Sequence, residues 1–141
     1  MQHVYHGVPE RIEGEYLMPL NEMKTLHQHL YQRYLEKYKG REAVMQRTIP
    51  LLNCLWNDVI QFMPVHPRKV FELQKQLGLI AQVPPYKFFE IDTSLFDPDK
   101  TVVYFKNAAG EANERVEWLK DVDLTAIQEI PNATIEYYKS L

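Results

Sequence analysis

A single cysteine, Cys54, stands in the chain, so no disulfide can close within it, and a reducing, cytoplasmic setting is expected. No apolar run approaches the roughly 18 residues that a membrane-spanning helix needs, which argues against a membrane span. The opening "MQHVYHGVPE" lacks the basic and apolar regions of a secretory leader, so none is expected. Glycine is scarce at five residues, and no Gly-rich phosphate loop of either usual spacing occurs. There is no Gly-x-Ser-x-Gly nucleophile turn and no His-Glu-x-x-His run. His3 and His6 lie three apart on an expected strand, and His27 and His29 lie two apart on an expected helix. In both pairs the side chains diverge, so no metal site is expected.

What is present describes an ordinary globular chain. With 141 residues, 45% apolar and 25% charged, it fits one domain that buries about two-thirds of its unfolded surface. Nine Tyr, six Phe and two Trp supply rigid units for a core or a pocket wall. The net charge of −3 conceals an asymmetry: residues 24–47 carry six basic against two acidic side chains, whereas residues 86–141 carry six against eleven. The basic segment is either the solvated face of a helix or a surface toward phosphates or an acidic partner.

"HVYHGV" (3–8) reads as a strand ended by Gly7 and Pro9, followed by turn-rich "IEGEYLMPLN". From Glu22 to Tyr38 the apolar spacing is helical, with Asn21 as N-cap and Gly40 as stop. A second helix is expected over Arg41 to Thr48, then helix or loop to Asp58, then a strand to Met63. Pro67 opens a helix that Gly78 ends. "KFFEID" and "TVVYF" read as strands, "NAAGEAN" as loop, "ERVEWL" as strand or helix end, and "AIQEI" and "TIEYY" as final strands. Helices early and strands late predict an α+β fold: one compact domain, its N-terminal helices packed on a small, mostly antiparallel sheet.

Two residues carry the chemistry this pattern suggests. Glu117 falls between Val116 and Trp118 in an otherwise apolar stretch, and His6 precedes Gly7, whose bare backbone permits close ligand approach. "LWND" adds Trp56, Asn57 and Asp58, an aromatic face beside polar groups that suits a ligand part ring and part sugar. The ordinary reading of that cluster is a capped turn with Trp56 in the core.

Read in order, these segments resemble the ADP-ribosyltransferase superfamily, most closely its DNA-targeting toxins. The segments are "VYHG", "GEYLMPL", "DVIQFMPVHPRKVFELQ", "FFEIDTSLFDPDKTVVYF", "KNAAGE" and "RVEWLKDVDLTAIQEI". The resemblance implies that His6 holds the nicotinamide-side ribose of NAD, and that Glu117 stabilises the developing cation and orients the attacking group. Val116, Trp118 and Leu119 would supply a low-polarity setting, and Tyr5, Trp56 or Phe62 an aromatic wall for nicotinamide. Gly7 and Asn57 complete the expected NAD-binding set. The acceptor is open, with a nucleic-acid base compatible with the basic segment. The chain departs from the family pattern where "VIQFMP" offers neither the Tyr nor the Ser of the middle strand, and Asn107 is a loose match to the loop residues.

Two rivals stand beside this reading. One is a non-catalytic binding module whose partner docks on Tyr31, Tyr34 and Tyr38. The other is an enzyme built on Cys54, His66 and Asp58.

Overall fold

The structure is a computed structural model that describes residues 2–9, 17–106 and 112–141, with the side chains at 106 and 112–114 excluded. In chain order the strands are β1 (His3–Gly7), β2 (Thr48–Ile49), β3 (Cys54–Leu55), β4 (Phe88–Asp92), β5 (Val102–Lys106) and β6 (Ala112–Trp118). The helices are α1 (Leu20–Leu26), α2 (Gln28–Leu35), α3 (Pro67–Gln76) and α4 (Asn132–Lys139), joined by several short 3₁₀ turns. The fold is therefore mixed α and β with small antiparallel sheets. The chain divides into two compact units, Met1–Glu10 with Phe62–Leu141, and Arg11–Gln61.

In the first unit β1 pairs antiparallel with β4, from His3 opposite Asp92 to Gly7 opposite Phe88. Its other edge meets Met63, which exchanges two 2.8 Å backbone hydrogen bonds with Tyr5. Side chains alternate along a strand, yet Val4 and Tyr5 are both buried, so both faces of β1 are covered. The strand expected as far as Met63 reduces to this one bridge with Tyr5.

α3 begins as its sequence predicts. Pro67 takes the first turn, where no N–H is needed, and the His66 ring caps it: Nδ1 accepts from the Arg68 N–H at 3.1 Å. Gly78, at φ +75°, ends it in the left-handed region. β5 and β6 form a separate pair with Val103 opposite Glu117 and an irregularity between Tyr104 and Lys106.

The final strands expected at "AIQEI" and "TIEYY" do not form: the first only overlaps the end of a 3₁₀ turn over Leu124–Ile127, and the second lies in α4. Asp123 caps the turn by accepting from the Thr125 N–H, and Pro131, at φ −60°, sets the entry to α4. These local terminators outweigh the β-branched and aromatic composition that suggested strands.

In the second unit the helix expected over 22–38 breaks at His27 into α1 and α2. Pro19 takes the N-cap position, so Asn21 lies in the first turn of α1, where its amide donates to Asp58 Oδ1 at 2.7 Å. Gly40, at φ +84°, is the stop its position predicts. The helix expected over Arg41 to Thr48 is a 3₁₀ turn at Glu42–Gln46, after which Thr48 and Ile49 pair with Leu55 and Cys54. Leu51 and Asn53 turn that hairpin with φ of +70° and +52°. Leu30, Tyr31, Tyr38 and Ile49 are buried.

Candidate functional site

Alternation along β1 separates the residues that the sequence grouped. His6 shares one face with Val4, whereas Tyr5 and Gly7 share the other. On the His6 face the imidazole tilts against Phe62 with centroids 5.6 Å apart, and Phe62 packs on Phe96 at 5.0 Å. The half-buried imidazole thus edges a wall of two phenyl rings, with Leu95, 77% exposed, next to Phe96 in sequence.

The opposite face is filled by the protein itself. Tyr5 meets His66 at 4.9 Å and Phe88 at 5.8 Å, and Tyr86 stacks over Phe88 while its hydroxyl lies where a Cβ at position 7 would stand. The close approach that Gly7 permits is taken by Tyr86. Burial raises the Tyr5 hydroxyl pKa, Glu90 adds to the rise and Lys69 offsets part of it. Tyr5 and Gly7 therefore serve packing on a face that His6 does not share.

Glu117 lies on β6. Its neighbours Val116 and Trp118 point to the other side of the strand, so they do not surround the carboxylate as the sequence suggested. Arg115, two residues back on the same face, donates from Nη2 at 2.7 Å and Nε at 3.2 Å, both to Oε2. The guanidinium carbon lies 4.0 Å from the centroid of the Phe105 ring. With its side chain 39% exposed, Glu117 has a cation and solvent as its setting, in place of an apolar pocket. His6 and Glu117 belong to different two-stranded sheets of the same unit.

Trp56 and Asn57 belong to the other unit, in a 3₁₀ turn over Trp56–Asp58. Asn57 is 2% exposed, and its Oδ1 accepts from the Tyr38 hydroxyl at 2.8 Å. The Trp56 carbonyl accepts from the Gln61 amide, and Asp58 Oδ2 accepts from the Leu55 N–H at 2.8 Å. The cluster is thus the capped turn of the ordinary reading, and Asn57 presents no polar atom to a ligand outside.

The rival sites fare no better. Burial, then the Asp58 charge, raises the Cys54 thiol pKa, opposite to what an activated nucleophile needs. His66, assigned as its base, lies in the other unit and uses Nδ1 to cap α3. Tyr31 and Tyr38 are buried, so the tyrosine stripe of 31, 34 and 38 is not a docking face. The second unit also carries an open cleft of about 580 Å³ whose lining includes Arg33, Tyr38, Lys39 and Met45, a site the sequence did not indicate.

Among the described residues no group of three or more His, Cys, Asp or Glu could hold a metal ion, and no helix is long and apolar enough to cross a membrane. Asn107 and the loop residues 107–111 lie outside the described residues, as does "IEGEY". Sequence reasoning missed Phe96, Phe105 and Arg115. Arg115 was readable, since strand residues two apart share a face, whereas Phe96 comes to Phe62 only through the fold. Compared with protein-family models, curated sequences and solved structures, the chain matches none of them.

Proposed function

We propose that this chain is an NAD-dependent protein of ADP-ribosyltransferase type, with the His6 face of β1 as its ligand wall and Glu117 as its catalytic carboxylate. The observation that carries the reading is the His6–Phe62–Phe96 row, which joins a polar ring to two flat apolar ones. Such a row fits NAD: phenyl rings attract a cationic pyridinium, and an imidazole edge suits ribose hydroxyls. Tyr5, Gly7, Trp56 and Asn57 are left out of this wall because their contacts are internal to the protein. The reaction of such a site breaks the ribosyl–nicotinamide bond, nicotinamide leaves with the electron pair, and an acceptor nucleophile bonds to the anomeric carbon and loses its proton. Glu117, on a late strand and reachable from solvent, supplies the anion that favours positive charge at that carbon. The acceptor stays open; a nucleic-acid base is compatible with the basic composition of residues 24–47.

The test is nicotinamide release from NAD by the pure full-length protein, beside Glu117→Gln and His6→Ala. Release by the wild type is expected, reduced about a hundredfold in Glu117→Gln and with a raised KM in His6→Ala. A wild type that neither releases nicotinamide nor binds NAD in calorimetry overturns the reading.

A second reading, binding without turnover, is favoured by one observation: the Arg115 guanidinium already neutralises Glu117. It predicts that NAD binds equally to wild type and Glu117→Gln, with no release from either.

A further inference from the structure

The face of the β5–β6 pair that carries Glu117 holds a three-part arrangement. Val103 stands opposite Glu117, Arg115 lies two residues back on the Glu117 face, and the Phe105 ring, beside the irregularity between Tyr104 and Lys106, meets the Arg115 guanidinium. The guanidinium carbon lies 4.0 Å from the Phe105 centroid, well inside the about 6 Å within which a cation and a ring attract. An Arg on an exposed strand ordinarily samples many rotamers, but here the guanidinium is seated over a ring that restricts where it can go.

From that seat Arg115 reaches the carboxylate in a particular way. Nε and Nη2 converge on one oxygen, Oε2, at 3.2 and 2.7 Å, and Oε1 accepts no hydrogen bond from the described residues. A bidentate pair that engages both oxygens would close the carboxylate to anything else. The observed one holds the group by one oxygen and leaves the second to accept from a hydroxyl or to face a developing positive charge.

We infer that Arg115, seated on Phe105, is a positioning residue that anchors Oε2 of Glu117 so that Oε1 meets the ligand. The anchor is a property of the β5–β6 pair itself; only the identity of the ligand rests on the transferase reading. The arrangement also accounts for a half-exposed carboxylate carrying a cation two residues away, since a solvated Glu with free rotamers would lose orientation on every turnover.

Two measurements on the full-length chain test it. The first observes the Arg115 Nε–Hε resonance in ¹⁵N-labelled protein at neutral pH. Glu117→Gln and Phe105→Leu are each expected to shift it and to speed its exchange with water. A resonance that neither substitution moves overturns the anchor, whatever the activity. The second compares nicotinamide release by wild type, Arg115→Gln and Arg115→Lys. Arg115→Gln is expected to lower kcat about tenfold with KM held within about twofold, and Arg115→Lys to recover part of the loss. Full kcat in Arg115→Gln beside an active wild type overturns the positioning role. If the resonance responds as expected while the wild type releases no nicotinamide, the anchor is supported and the transferase reading is what fails.

Discussion

The Tyr38 hydroxyl donates to Asn57 Oδ1 at 2.8 Å inside the second unit, with both residues buried. Asn57 Nδ2 has no hydrogen-bond partner among the described residues, so the amide is held by this one bond. Tyr38→Phe removes it and leaves Oδ1 desolvated as well, an expected cost of about 1–3 kcal/mol in urea unfolding. Replacing both partners at once, Tyr38→Phe with Asn57→Leu, is expected to cost less than the sum of the single changes, because no buried polar atom is then stranded.

Gly7 is constrained by Tyr86 in the first unit. Gly7→Ala drives a methyl group against the Tyr86 hydroxyl, but that hydroxyl ends a side chain 43% exposed and free to give way. The expected loss is about 1 kcal/mol, at the low end for overpacking. Tyr86→Phe in the same chain should recover part of it, which a thermal-unfolding cycle would measure.

Asp92 gives a pH dependence. The Ser94 N–H, at 2.9 Å, and the Ser94 hydroxyl hold its carboxyl below the usual carboxylate range, with smaller help from His3 and the N-terminus. A depressed folded value means stabilisation that is complete above the ordinary Asp range and lost as pH falls through the folded one. The stability gap between wild type and Asp92→Ala should therefore hold steady from neutral pH to about pH 5 and narrow below about pH 4. A gap that widens on acidification would contradict the assignment.

Cys54 should label slowly. Its thiol pKa is raised by burial and by Asp58, so less thiolate is present at neutral pH than in an ordinary cysteine. A disulfide reagent at pH 8 is expected to react at least about tenfold more slowly with the native chain than with the urea-unfolded chain. Equal rates would restore Cys54 as a nucleophile candidate.

His66 is tested by its role at the start of α3. His66→Ala should cost about 1 kcal/mol, the usual value of an N-cap, and His66→Asn should retain most of the stability, since an Asn oxygen also accepts from the Arg68 N–H.

Much of the local structure was legible. "HVYHG" reads as a strand from its composition, Pro67 as a helix entry from its missing N–H, and Gly40 and Gly78 as stops from their lack of a Cβ. The misreadings share a cause. "TIEYY" carries strand-forming side chains, but Pro131 and the capped turn before it set a helix. Asn21 carries the right group for an N-cap, but α1 starts one residue before it and its amide donates to Asp58, distant in sequence.

The candidate site divides along the same line. Alternation fixes that His6 and Tyr5 face opposite ways and that Arg115 and Glu117 face the same way, because a strand's period of two leaves no choice. Sequence alone therefore determined the α+β character, the placement of His6 on a strand and the side that it takes; it left "ERVEWL" as strand or helix end, and the structure makes it the strand that carries Glu117. Only the tertiary structure decided what stands beside them: Phe62 and Phe96 at His6, Tyr86 at Gly7, Phe105 under Arg115, and Tyr38 on Asn57. The physical reason is that backbone periodicity is local, whereas the partner a side chain meets depends on where the chain returns after many residues.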